Sequence, residues 1–200
     1  MNFNDEAKKW DTERRIIRAK QISDFLKREI NINQNSVMLE FGCGTGLISS
    51  NFVNCFSKII GYDQSEKMLE VYDSKFLEIK DKMISTNSLT GLNTKVDIII
   101  SSMVFHHIID INHVLNDIRS ILKHDGKLII VDLDLDDGGF HSDESGFNGH
   151  NGFDRELFVS QLKLNGFDVT QIGTVLEDVK ICDDKEIPYS LFYVYAMKVD

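Results

Sequence analysis

The chain has 200 residues, with 32 acidic against 22 basic side chains, a net charge of −10 and a pI near 5.0. That length suits one self-sufficient domain, 1–200, and the negative charge argues against nucleic acid or an anionic membrane as a partner. Three cysteines, Cys43, Cys55 and Cys182, without CxxC spacing argue against a disulfide framework or a structural zinc site and for the cytoplasm, and no apolar run is long enough to span a membrane.

The first 30 residues carry helical spacing, with Ile16, Ile17, Ile22, Phe25, Leu26 and Ile30 on one side and Arg14, Arg15, Arg18 and Lys20 read as a solvated face. Val37 to Phe41 is a short apolar strand that runs into glycines. A helix is expected from about Gly46 to Phe56, and a second strand at Lys58–Tyr62. Ser65 caps a helix with the stripe Met68, Leu69, Tyr72 and Phe76. Met83-Ile84 is a weak third strand, and Val96–Ser101 a fourth that reads as buried on both faces. Val114, Leu115, Ile118, Ile121 and Leu122 predict a helix ended by Gly126, followed by a fifth strand at Lys127–Val131. Asp154 caps a last helix through Leu157, Phe158 and Leu162. Phe167–Val175 and Tyr189–Val199 read as strands with no room for a helix between them. The expectation is a doubly wound, mostly parallel, seven-stranded α/β sheet with a C-terminal antiparallel hairpin.

The segment 136–153 breaks this rhythm with five glycines, two histidines and four acidic residues. A stretch of that kind inside a compact domain is either functional or disordered, and a lid over a ligand is the expected use.

The loop Glu40-Phe41-Gly42-Cys43-Gly44-Thr45-Gly46 joins the first strand to a helix. A dinucleotide fingerprint needs its third glycine where Leu47 stands, and no GK[ST] is present for a P-loop. Asp63, closing the second strand, can accept hydrogen bonds from a ribose diol. Together with Glu40 these residues describe a site for a nucleoside without a pyrophosphate, and the negative charge suits a cationic one.

In these segments, together with Val96–Ile108 and Leu122–Leu128, the chain resembles the class I S-adenosylmethionine-dependent methyltransferases. The match runs in order over roughly residues 5 to 199. The resemblance implies that the loop Gly42-Cys43-Gly44, with Gly46, lines the methionine part of the donor. It also implies that Glu40 orients the donor's ammonium group and that Asp63 holds its ribose. Gln64 and Met68 would border the adenine, and Ser101 would contact the donor near its amino-acid group. The segment 1–34 would cover the site. Where the family usually shows an acid facing the adenine amine, this chain reads Ser85-Thr86-Asn87-Ser88, and Asn87 stands in that place. The product would be S-adenosylhomocysteine.

Four histidines are candidates for a general base: His107 and His106 just past the fourth strand, with His107 ahead by position, and His141 and His150 in the 136–153 segment. Asp132, Asp134, Asp136 and Asp137 do not fit an EF-hand, since Asp137 and Asp143 stand where Gly and Glu are required, and no metal is expected. The Asn/Asp-Pro-Pro-aromatic motif of DNA amino-methyltransferases and the Pro-Cys pair of cytosine-C5 enzymes are absent, which leaves a small-molecule acceptor by elimination. The alternatives are a donor-binding protein without turnover and an NAD-dependent oxidoreductase on a similar sheet.

Overall fold

A computed structural model describes residues 3–144, 146–182 and 185–199. The chain opens with a short helix, α1 (Phe3–Glu6), and a longer one, α2 (Glu13–Glu29), capped by the Thr12 hydroxyl, which accepts from the Arg15 amide. Strands and helices then alternate: β1 (Val37–Phe41), α3 (Leu47–Phe52), β2 (Lys58–Tyr62), α4 (Glu66–Lys75), β3 (Met83–Thr86), β4 (Val96–Ser102), α5 (Ile111–Ile121) and β5 (Leu122–Leu133). After α6 (Arg155–Leu164), β6 (Phe167–Cys182) and β7 (Lys185–Lys198) complete one seven-stranded sheet. Its order is β3-β2-β1-β4-β5-β7-β6, with β7 antiparallel to both β5 and β6 and the other pairings parallel. The seven-stranded, mostly parallel sheet and its C-terminal hairpin agree with the sequence reading.

The central strands are apolar nearly throughout because both of their faces are covered. Ile98 and Ile100 of β4 face a core shared with Ile22, Phe52 and Tyr72, while Ile99 faces the opposite core with Leu115 and Phe158. In β5, Ile129 and Val131 alternate with Leu128 and Ile130 in the same way. β1 and β4 are neighbours from opposite halves of the sheet, so the connections that leave their carboxyl ends run apart and open a crevice there.

Three boundaries differ from expectation. α3 stops at Phe52, and the chain turns so that Phe56 still reaches the core. α5 ends at Ile121, not Gly126, because Leu122 already pairs with Val96 and Lys127 with Ile98, so residues 123–126 bulge between two ladder positions. The hairpin is longer than its alternation suggested, extending to Cys182 and back from Lys185. In α6, Phe158 and Leu162 are buried and Leu157 faces solvent.

Candidate functional site

A cavity of about 480 Å³ lies at the carboxyl edge of the sheet, against the glycine loop. Tight local geometry holds that loop. Gly42, Gly44 and Gly46 all have positive φ (74°, 51° and 81°), a region costly for other residues. A Cβ on Gly42 would lie 2.3 Å from a Val104 methyl, so this glycine lets β1 and the β4 loop approach closely. A Cβ on Gly46 would lie 2.7 Å from both Tyr72 and Phe76. This third glycine therefore packs α3 against α4 and is not among the cavity's lining residues. Only Gly44 leaves space on its open side, with Trp10 Nε1 at 3.6 Å.

Two carboxylates line the cavity. Asp63 accepts from Gly44 N through Oδ2 (2.8 Å) and from Ser65 N through Oδ1 (2.8 Å). Each oxygen keeps a lone pair for a ligand. Burial raises its pKa above the usual carboxylate range. Glu40 is buried, and its Oε2 accepts from the Ser49 amide (2.9 Å) and hydroxyl. Burial pushes Glu40 up to about 8, against the pull of those two hydrogen bonds.

Cys43 and Gln64 also line the cavity. Met68 lies behind the loop, fully buried, with its sulfur 4.0 Å from where a Gly44 Cβ would stand. Ser101 is buried under β1, its hydroxyl donating to Phe41 O (3.0 Å), and Ser102 lines the cavity instead. Asn87 is exposed just past β3 and is not part of the wall. From the N-terminal segment, Phe3, Trp10, Arg15, Arg18, Ala19 and Ile22 complete the lining.

A second cavity, about 320 Å³, adjoins the first and shares Trp10, Arg15, Arg18, Met103 and His107 with it. Met103 is in the left-handed region (φ 60°) at this junction, anchored by its amide to Val131 O (2.9 Å). Backbone strain of this kind gathers at functional sites.

Three of the four histidines meet in the wall of the second cavity. His106 Nδ1 lies 2.5 Å from Asp132 Oδ1, with both side chains buried. Asp132 also accepts from the amides of Val104, Phe105 and Leu133, and, despite burial, its pKa is lowered chiefly by His106. The His107 ring lies 4.1 Å from that of His106, centroid to centroid. Burial, then the His106 and His141 rings, drive its pKa down to about 3, so it is neutral. His141 stacks on Phe147 at 3.7 Å and places Nδ1 3.0 Å from Glu144 Oε1. His150 stands apart: Nε2 meets Ile108 O (2.9 Å), its amide donates to His106 O (2.7 Å), and it lines neither cavity.

The sequence had offered Asp132 only as an acid in a rejected metal cluster, and Arg15 and Arg18 only as part of a solvated face. The signal for Asp132 was its place at the end of β5, next to the end of β4.

A cationic nucleoside fits this chemistry: a buried carboxylate at Glu40, a half-buried one at Asp63, a backbone cradle open at Gly44 and an aromatic roof. A family model described as "Methyltransferase domain" matches residues 13–172. An uncharacterised methyltransferase of Schizosaccharomyces pombe is 32% identical over 176 residues, covering 78% of this chain, which spans 61% of that relative's length. The fold matches a chain in the complex between the Haloferax volcanii Trm112 methyltransferase activator and a methyltransferase, with TM-score 0.79, 15% identity and coverage of 100% and 98%. It also matches magnesium protoporphyrin IX methyltransferase from Synechocystis PCC 6803 with bound S-adenosylmethionine, with TM-score 0.64, 17% identity and coverage of 92% and 79%. The chain belongs to the methyltransferase-domain family, with the class I fold and S-adenosylmethionine as its cofactor.

Proposed function

We propose that this protein transfers a methyl group to a small-molecule acceptor seated in the second cavity, with His106 as general base and Asp132 as its orienting partner. The observation that carries this reading is the junction of the two cavities at Met103 and His107. A space of about 320 Å³ beside the donor cavity suits a small molecule and not a polymer.

The first cavity is the donor site in this reading. Asp63 holds the ribose hydroxyls, and Glu40, charged when a cation faces it, holds the ammonium group. Gly42, Cys43 and Gly44 supply the backbone wall, and Gln64 borders the base. Residues 1–34 form the roof through Trp10 and Phe3. The segment 136–153 covers the acceptor side.

S-adenosylmethionine, when bound, supplies a methyl group on a positively charged sulfur, which keeps the C–S electron pair as the new bond to the acceptor forms. The protein's task is to align the acceptor and exclude water. An acceptor hydroxyl or acidic carbon must also lose its proton. Asp132 accepts the Nδ1 proton of His106 and leaves Nε2 to take it, as an oriented imidazole does. His107, with a pKa near 3, is too weak a base for this role.

Isotope-labelled donor incubated with a small-molecule extract tests the proposal. Label in a small organic product supports it. Label in protein or nucleic acid alone, or S-adenosylhomocysteine binding without transfer to any acceptor, would overturn it.

A further inference from the structure

The second cavity holds more positive charge than the methyl-transfer reading uses. Arg14, Arg15 and Arg18 reach it from α2 and Lys180 from β6, facing Asp143 and Glu144 of the 136–153 segment. Two of these cations are neutralised locally. Arg14 lies 3.5 Å from Asp178, and Lys180 lies 2.6 Å from Asp143. Neither Arg15 nor Arg18 has an ion-pair partner among the described residues.

Arg15 is half-buried, with its guanidinium 3.8 Å over the Trp10 ring, and donates to Trp10 O (3.2 Å). Burial and then the neighbouring Arg18 charge push its pKa down, and Glu6, Glu144 and Asp11 oppose this. Two like charges are thus held close together at the mouth shared by both cavities, in a protein whose net charge is −10. That arrangement is unfavourable in the free protein, and an oxyanion between the guanidinium groups relieves it. The donor brings a single carboxylate, which one guanidinium satisfies in a bidentate pair, so the second cation remains for the acceptor.

An independent feature of the same wall also points to a ligand. His141 Nε2 is buried without a hydrogen-bond partner, on a side chain only 3% exposed. A buried polar atom left in this state costs free energy unless a ligand supplies the missing bond.

We propose that the acceptor is a small organic acid, whose oxyanion is held by Arg15 while its reacting group faces His106. This rests on the second cavity being the acceptor site.

The test uses the protein saturated with S-adenosylhomocysteine, titrated with benzoate, phenylacetate and hexanoate, with the primary amide of each, and with phenyl and hexyl phosphate. At least one acid should bind more tightly than its amide by roughly ten- to hundred-fold, the range for a lost charge-assisted hydrogen bond. The phosphate arm shows whether the oxyanion is a carboxylate or a phosphate. Arg15→Gln should abolish the preference for acid over amide, and Arg15→Lys should keep part of it. The comparison of acid with amide is made on the unaltered protein, so it stands even where a variant fails to fold. Equal binding of acid and amide, no binding by any acid, or a preference that survives Arg15→Gln would overturn the inference. Methyl transfer to a neutral acceptor alone would overturn the acid class and leave the methyl-transfer reading standing. Failure to bind S-adenosylhomocysteine at all would strike that reading itself.

Discussion

His106 Nδ1 and Asp132 Oδ1 lie 2.5 Å apart beneath the sheet edge, joined from the ends of two neighbouring parallel strands. The carboxylate is saturated by that imidazole and three backbone amides, so it fixes both the ring's orientation and its tautomer. Asp132→Asn puts an amide N–H where the imidazole needs an acceptor and turns Nε2 into a donor. Turnover at neutral pH should fall by about 10² to 10⁴-fold, the contribution of a positioned base, while S-adenosylhomocysteine still binds in calorimetry. Removing the ring instead, in His106→Ala, deprives the buried Asp132 of one of its four hydrogen-bond donors and should cost about 1–3 kcal/mol in denaturant unfolding.

Asp63 ties the loop down as well as lining the proposed donor site. Asp63→Ala releases Gly44 N and Ser65 N together with any ribose contact. Donor affinity should drop by about 1.5–3 kcal/mol, as expected for hydrogen bonds to a charged group. Calorimetry that finds the affinity unchanged would remove Asp63 from the donor site.

Two of the loop glycines, Gly42 and Gly44, should fail in different ways. Gly42→Ala drives a Cβ into Val104 at a positive φ and should cost about 1–3 kcal/mol of stability, partly recovered by adding Val104→Ala. In Gly44→Val the Cβ itself meets no closer neighbour than Trp10 at 3.6 Å, so the protein should fold, at a backbone-strain cost of about 1–3 kcal/mol, and lose donor binding. Circular dichroism together with calorimetry on both variants separates the two outcomes.

Glu40 makes stability and binding depend on pH in opposite directions. Its folded pKa, about 8, lies above the unfolded value, so the folded protein holds a proton that the unfolded chain has already released. The resulting stabilisation is fully present below pH 4 and is lost as pH rises toward 8. A cationic donor needs the charged form, so its affinity should fall by up to about tenfold per pH unit below 8, with proton release on binding. Glu40→Gln should flatten both profiles, which calorimetry in two buffers of different ionisation enthalpy would show.

Hydrogen exchange should divide the 136–153 segment. Its ends are tied by Leu135 N to Phe153 O (3.0 Å), Asp136 N to Asn151 O (2.9 Å) and His150 N to His106 O (2.7 Å). Those three amides should exchange slowly with or without ligand. Protection of residues 142–149 should rise when the donor product and an organic acid are both bound. Unchanged protection there in every liganded state would show that the segment does not close on an acceptor.

The sequence determined the frame of this protein. Alternating apolar strands and amphipathic helices fix a parallel sheet, and parallel strands deliver their carboxyl ends to one edge, so Glu40, Gly44 and Asp63 meet wherever the ladder register falls. That follows from local periodicity and connection handedness, which a chain carries in its own order. Packing between distant segments decided the rest. Val104 tells Gly42 apart from Gly44, and Tyr72 with Phe76 makes Gly46 a packing residue, contacts invisible in a run of three glycines. Asp132 and His106 are 26 positions apart and become a pair only because β5 lies beside β4. Arg15 and Arg18 read as solvated because helical spacing describes a face and not what that face covers. Their meaning came from where α2 crosses the sheet edge, which tertiary packing sets and no local pattern records.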